Sequence, residues 1–520
     1  MPPSWLNITE LSHAVHLALE QAKFNADTQQ YLSCSIGVQD VTSKAVYNQI
    51  PSNQVSFFLE NRSESFSIVA EGVLEKINTS GIQRFKNTSG IGKDLIARVH
   101  GFGQDGTSQP IHLIGGFSFT DELDKSKEWT DVETALFHLP KWLLITQEGQ
   151  SVLSLVESFD PNYTVEEWSN LFRIKISKWL ERFNPKNLPS SHIDSGIHNE
   201  FSLSRKTFSK THSVGPLALE TDDPQSPKTL QSLENIQHWK GMIEEAKKQI
   251  SEQRLKKVVL ARKLSIAHEH QPDAHAIVEE LLLAYPDCYV FAFNPKGSSY
   301  FVGATPERLA RFTPTQVETE SLAGSTMRGR NRLEDEVLAG QLLNSKKDRL
   351  EHDIVIEAIE EDLVPYSERL ELSKAPQVKK LPNVQHLYTP ISATFKKGIS
   401  RTNVLKDLHP TPAVGGFPRS EALRFIKEEE NFNRGWYASP IGWINSHGVG
   451  EFYVAIRSGL IDDQHAHLYA GCGIVKDSDP EKEWIETELK LQPMIQAVSR
   501  ANQSASEARG AQRYERDSVI

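Results

Sequence analysis

Cysteine is scarce in this chain of 520 residues. Cys34, Cys288 and Cys472 are the three present, and they are scattered. So few and so dispersed, they build neither a disulfide framework nor a thiolate metal site, and a sparse, odd count suits a reducing compartment. Positive charge is also short: 57 lysines and arginines stand against 68 acids, for a formal charge of −11. That balance argues against broad nucleic-acid binding, which needs a phosphate-neutralising surface, but leaves room for a small anionic substrate held by a few local cations. Long apolar runs are missing. No stretch approaches the ~20 apolar residues of a membrane span, and MPPSWLNITELSHAVHL has no basic segment leading into an apolar one. The expected location is the cytoplasm, with no membrane and no nucleic-acid partner.

Several motifs are absent or incomplete. Neither a P-loop nor a G-x-S-x-G elbow occurs, so nucleotide and acyl-transfer chemistry lack support. Gly101, Gly103 and Gly106 spell G-x-G-x-x-G, but a strand-like GTSQPIHLIGG follows where a dinucleotide fingerprint needs a helix, so a turn is expected. His268, His270 and His275 fall in a polar HEHQPDAH stretch that reads as a solvated loop. Glu428–Glu430 reads as a solvated helix face.

What is present is a mixture of strand and helix patterns. Up to about residue 183, short apolar runs alternate with turns (VSFFLE, PIHLIGGFSF, KWLLITQEG). Helices are expected at SLVESF and at VEEWSNLFRIKISKWLERF. Residues 184–229 are rich in Ser, Pro, Thr and Asp and read as a polar loop. LENIQHWKGMIEEAKKQISEQ then reads as a helix and KKVVLARKLSIAH as a strand. CYVFAFNP and SYFVGATPERLARF form a strand pair, and one or two helices lie before Pro365. GWYASPIGWIN, VGEFYVAIRSGLI and AHLYAGCGIV read as successive strands before a final helix. Strands and helices are not in strict alternation, so the fold class is α+β: a large, mostly antiparallel sheet core (an α/β sandwich) surrounded by helices. The expected division is a variable N-terminal region over 1–229, a catalytic domain over 230–500 and a polar tail over 501–520.

Two helical segments carry acids at i, i+3. One is KKDRLEHD, with Asp348 and Glu351; the other is PEKEWIETELK, with Glu483 and Glu486. Residues three apart share a helix face. Four carboxylates from two helices make an oxygen-rich set of the kind Mg²⁺ takes. Lys490 lies one turn beyond Glu486, placed to pair with an acid or to meet a substrate carboxylate.

Between residues 257 and 490 the motifs KVVLAR, GATPERL, LAGS, KDRLEHDIV, VQHLYT, HPTPAVGG, GWYASPIGW, AIRSG, YAGCGIV and PEKEWIETELK follow in order. In this set the chain resembles the chorismate-utilising enzymes, the group of isochorismate, salicylate, anthranilate and aminodeoxychorismate synthases. IGGFSF and FHLPKW resemble the N-terminal part of the isochorismate branch. The resemblance implies that Glu351 and Glu486 bind Mg²⁺ with Asp348 and Glu483 beside them, the ion holding the ring carboxylate of chorismate. It implies that Tyr437 and Arg457 grip the enolpyruvyl carboxylate, for which the planar guanidinium fork is suited. Gly471 would bring backbone close to the ring, Lys490 would lie near the ring carboxylate, and His386, Ser325 and Ala323 would line the cavity.

By the same resemblance Lys257 is the general base and Glu307 the general acid of a reaction that adds water at ring C2 and expels the C4 hydroxyl. Ala323 stands where aminodeoxychorismate synthases carry a nucleophilic lysine, and Ala413 stands where ammonia-using and salicylate-forming relatives tend to carry Thr or Ser. Ala323 thus argues against the aminodeoxychorismate activity, while Lys257 and Ala413 favour water chemistry; the resemblance implies chorismate-to-isochorismate conversion, feeding quinone or siderophore formation, with no amidotransferase subunit. The alternatives are salicylate formation by further loss of pyruvate, and a silent chorismate-binding homologue.

Overall fold

Alternation within the strands decides the architecture. In the strand Ser56–Asn61, Phe57 joins one hydrophobic cluster and Phe58 another. In Tyr289–Asn294, Phe291 and Phe293 join the first, Val290 and Ala292 the second. Successive side chains of a strand point to opposite faces, so apolar residues at every position mean a sheet buried on both sides. These strands belong to a sheet of twelve, which faces a second sheet of ten across the first cluster. Its other face carries the second cluster, with the helices Ile8–Gln21, Val165–Arg182, Ala274–Ala284 and Pro480–Asp517 against it. Nearly all pairings are antiparallel; the exception among the described residues is Tyr31–Val38 beside Val99–Gly103.

The architecture comes from a computed structural model, which describes residues 8–21, 28–103, 106–124, 128–183, 227–268 and 271–517. Most of the polar stretch expected over 184–229 lies outside them, as does His270. Strands from both halves of the chain mix in both sheets: Ser56–Asn61 pairs with Tyr289–Asn294, and His112–Phe117 with Pro440–Asn445. Among the described residues no helix is long and apolar enough to cross a membrane.

Four expectations need correction. SLVESF is not helical: it lies in the strand Gln150–Ser158, paired on both edges by Tyr31–Val38 and Trp142–Gln147, where ladder bonds override a short local pattern. The last helix does not stop near residue 500, and the region expected as a tail is helical to Asp517. Glu430 is no solvated face residue. It is buried against Arg434 at the end of the helix Arg419–Glu429 and accepts the backbone N–H of Ala261 at 2.8 Å. GWYAS forms a turn, with Gly435 at φ +56° and Ala438 at φ +61°, before the strand Pro440–Asn445. Gly101 and Gly103 lie in the strand Val99–Gly103, Gly106 takes φ +79°, and a strand rather than a helix, His112–Phe117, is the next element among the described residues, as expected.

Two further segments expected as single strands break, and the breaks matter. Tyr300–Thr305 lies in the larger sheet and Arg308–Phe312 in the smaller; Gly450–Val454 lies in the smaller and Ser458–Ile461 in the larger. The chain therefore crosses between sheets twice, and the crossings are joined. Val454 donates its N–H to the Glu307 carbonyl (3.1 Å), Ala304 to the Arg457 carbonyl (3.0 Å), and Thr305 Oγ1 to the Val454 carbonyl (2.6 Å).

Candidate active site

A cavity with about 640 Å³ of empty space, mouth included, opens at this seam. Glu307 and Arg457 reach it from the two crossings. Ser325 comes from the strand Gln316–Met327 and His386 from Val384–Phe395, next to a bulge where Gly324 takes φ +75°. Ala413 comes from the loop after the helix Arg401–Leu408, and Tyr437 from the left-handed turn. Gly471 lies in the strand His465–Ile474. Glu351 stands on the helix Lys346–Leu363, whose N-terminus is capped by Ser345, while Glu486 and Lys490 project from the helix that begins at Pro480.

Lys257 opens the strand Lys257–Ala267 and is fully buried. Its ammonium lies 2.9 Å from Glu351 Oε1, an ion pair without an aligned hydrogen bond. Burial works against the charge on Glu351, but Lys257, Lys347 and Lys490 outweigh it and hold the carboxyl below its usual range. Glu486 pairs with Lys490 at 2.7 Å, and Lys490 also donates to the Gly471 carbonyl at 3.0 Å. Asp348 and Glu483 stand behind this layer. Asp348 bonds the Ser345 hydroxyl, Glu483 pairs with Lys347 at 2.6 Å, and neither lines the cavity. Burial raises both of their pKa values, with Glu486 adding repulsion to each. Four carboxylates thus face three ammonium groups. Glu351 and Glu486 offer hard oxygens on one wall, a set that suits Mg²⁺.

Glu307 is buried, and its carboxyl is pushed up to about 8, first by burial and then by Glu320, against the opposing pull of Lys379, Lys257 and Lys490. At neutral pH it carries its proton. Arg457 is also buried, at φ +51°, and burial lowers its pKa from the usual arginine value. Among the described residues no carboxylate sits within ion-pair distance of it, and its guanidinium meets only His386 Nε2, at 3.5 Å. An arginine can only donate, so Nε2 is the accepting nitrogen. Nδ1, 2.9 Å from Ser325 Oγ, carries the proton. Burial, with Arg457 and Lys490, keeps this histidine neutral. A buried, uncompensated guanidinium beside a neutral histidine is a site for an anion.

The structure adds residues that sequence reasoning passed over. A Cβ on Gly473 would sit 2.2 Å from Glu351 Oε1 and 2.8 Å from Lys257 Cε. Its spacing of two from Gly471 places it on the same strand face, the signal that was available in YAGCGIV. Gly473→Ala is expected to push the Glu351–Lys257 pair aside while leaving the backbone untouched. The fold should persist, and turnover should fall by ~10²-fold, the scale of a 1 Å misplacement. Activity and melting temperature measured together check this. Arg434 was also missed: besides pairing with Glu430 it donates to the carbonyls of Val414 (2.8 Å) and Val259 (2.7 Å), clamping the Ala413 loop to the Lys257 strand.

A family model described as "Chorismate binding enzyme" matches residues 17–213 and 202–499. This chain belongs to the chorismate-binding enzymes. It is 37% identical over 388 residues to the isochorismate synthase MenF of Bacillus subtilis, a match covering 74% of each chain. It is 43% identical over 272 residues to the salicylate biosynthesis isochorismate synthase of Pseudomonas aeruginosa, covering 52% of this chain but only 56% of that one. Among solved structures, the menaquinone-specific isochorismate synthase MenF of Escherichia coli superposes with a TM-score of 0.67 at 25% identity, over 94% of this chain and all of the other. Anthranilate synthase component I of Streptococcus pneumoniae reaches 0.60 at 20% identity over 84% of this chain and 93% of that one, a likeness of fold.

Proposed function

We propose that this chain is an isochorismate synthase: it binds chorismate in the seam cavity and converts it reversibly to isochorismate by adding water at C2 and expelling the C4 hydroxyl. The observation that carries the reading is Glu307, a buried acid that keeps its proton to about pH 8 and lines the cavity, while the buried Lys257, one layer behind the lining, reaches it with its charge. Hydroxide is a poor leaving group, so its departure needs a proton, and a carboxylic acid ionising near the working pH is a fitting donor. Lys257 takes the proton of the incoming water as the free amine, which requires that it first give up the proton of the ammonium it holds against Glu351. Arg457 and Tyr437 hold the enolpyruvyl carboxylate, with His386 fixing the guanidinium by its accepting Nε2 and Ser325 fixing the histidine.

Glu351 and Glu486 are the residues that would hold Mg²⁺, with Asp348 and Glu483 supporting them. The ion would supply positive charge for the ring carboxylate. Lys490, already between Glu486 and the Gly471 carbonyl, orients that wall. Ala413 leaves space beside the ring where a hydroxyl-bearing side chain would otherwise project.

The test is product analysis. Purified protein is incubated with chorismate with and without Mg²⁺ and the products are separated with mass detection. Isochorismate approaching equilibrium from either side, only with Mg²⁺ and without pyruvate, is expected. Salicylate with pyruvate would make the chain a salicylate-forming enzyme, and no product under any condition would sink the enzymatic reading. A second expectation concerns pH. Glu320 raises the Glu307 pKa by repulsion, so Glu320→Gln should move the alkaline fall of kcat/KM to lower pH without abolishing turnover. An unshifted profile would remove Glu307 as the group behind it.

A further inference from the structure

We propose that Asp462, His465 and His467 form a second metal site, selective for a divalent transition ion such as Zn²⁺, at the end of the sheet away from the cavity. Each of the three offers a ligand atom, and these atoms lie within 4.8 Å of one another; among the described residues this is the one group of three or more His, Cys, Asp or Glu so placed. The site is built by a hairpin turn. Asp462 Oδ1 accepts the backbone N–H groups of Gln464 and His465, both at 2.8 Å, which fixes the carboxylate and leaves Oδ2 outward. His465 and His467, two apart on one strand, share a face, and their rings stack at 5.4 Å. His467 Nδ1 is 2.9 Å from Ser265 Oγ on the paired strand, and Nε2 is 3.1 Å from Asp462 Oδ2. Two ligands each ~2.0–2.1 Å from a tetrahedral zinc are ~3.3 Å apart, so that edge already has the right length. The hydroxyl that orients the His467 ring is the outer-shell support such a ligand needs.

Two imidazoles and one carboxylate suit zinc, copper or nickel rather than magnesium. Gly473 is six positions along the strand from His467, ~20 Å, so this site is distinct from the carboxylates of the cavity and its existence does not depend on the function proposed above. An ion there would tie the turn to the free end of the two strands that carry Lys257, Gly471 and Gly473 at the other end.

The experiment is calorimetric titration of the full chain with Zn²⁺ in excess Mg²⁺, together with thermal unfolding. One Zn²⁺ should bind and raise the melting temperature. His465→Ala and His467→Ala should each abolish the binding and the thermal shift. Ser265→Ala, which keeps every ligand, should weaken affinity by ~10–100-fold. Turnover of chorismate in Mg²⁺ should be unchanged in all three. Absence of zinc binding to the wild-type chain, or binding of equal strength in the folded histidine variants, would overturn the proposal.

Discussion

Glu307→Gln is expected to lower kcat by ~10²–10⁴-fold, the usual contribution of a positioned acid, while chorismate and Mg²⁺ still bind. Glutamine keeps the size and a hydrogen-bonding end but has no proton to give. The wild-type pH profile carries the same information. Glu307 acts as a donor, so kcat/KM should fall as pH rises through about 8, where burial and Glu320 have placed its ionisation. The variant should lose that limb. Stability should move the other way. In the unfolded chain the carboxyl ionises near its ordinary 4.5, and in the folded chain near 8, so the native state holds the proton more tightly. Its contribution is complete below about 4.5 and is lost as pH rises toward 8. Glutamine removes that loss, so the variant should melt above wild type at pH 8, with the gap closing toward pH 4.5. A variant that is less active and more stable in alkaline solution is the pattern of a group kept for chemistry. A variant with wild-type turnover would remove Glu307 as the acid.

How far the site could be read beforehand depends on what kind of information placed each residue. The helix period made Asp348 with Glu351 and Glu483 with Glu486 accessible as pairs within their own segments; bringing Glu351 together with Glu486 rested on the resemblance to the chorismate-utilising enzymes. The sheets were accessible as runs such as YVFAFN, where unbroken apolar character means burial on both faces. The crossings were not. SYFVGATPERLARF reads as one strand only if Pro306, which has no N–H for a ladder, is passed over; even taken as a break, it does not say that the chain changes sheet at Thr305–Glu307. Yet that change is what brings Glu307 beside Val454 and its neighbour Arg457, some 150 positions further on. SLVESF was misread for the same reason: a six-residue pattern is ambiguous until its two strand neighbours are known. Asp348 and Glu483 had the right spacing, but spacing cannot tell a carboxylate facing the cavity from one taken up by Ser345 or Lys347. Glu430 shows the converse, an acid in a charged run whose partner Arg434 stands four residues on, beyond the end of the helix.

Lys257 is where the chemistry and the packing are hardest to separate, so its test needs two readouts. Lys257→Met keeps the length of the side chain and removes the amine. Without a base to take the proton of water, turnover should fall by ~10²–10⁴-fold. Single-turnover measurement at saturating chorismate isolates that step from binding. The same change also leaves Glu351 without its 2.9 Å partner. Breaking a buried ion pair from one side costs about 3–5 kcal/mol, because the remaining charge stays desolvated. The variant should therefore be markedly less stable in the absence of divalent cation. Mg²⁺ should restore much of the loss, since a cation held by Glu351 and Glu486 supplies the missing charge, and calorimetry should find Mg²⁺ bound at least as tightly as in wild type. A purely structural lysine predicts a different combination, in which Mg²⁺ rescues stability and turnover together. Recovery of stability with turnover still lost assigns Lys257 to the proton transfer; recovery of both would reduce it to the counter-ion of Glu351.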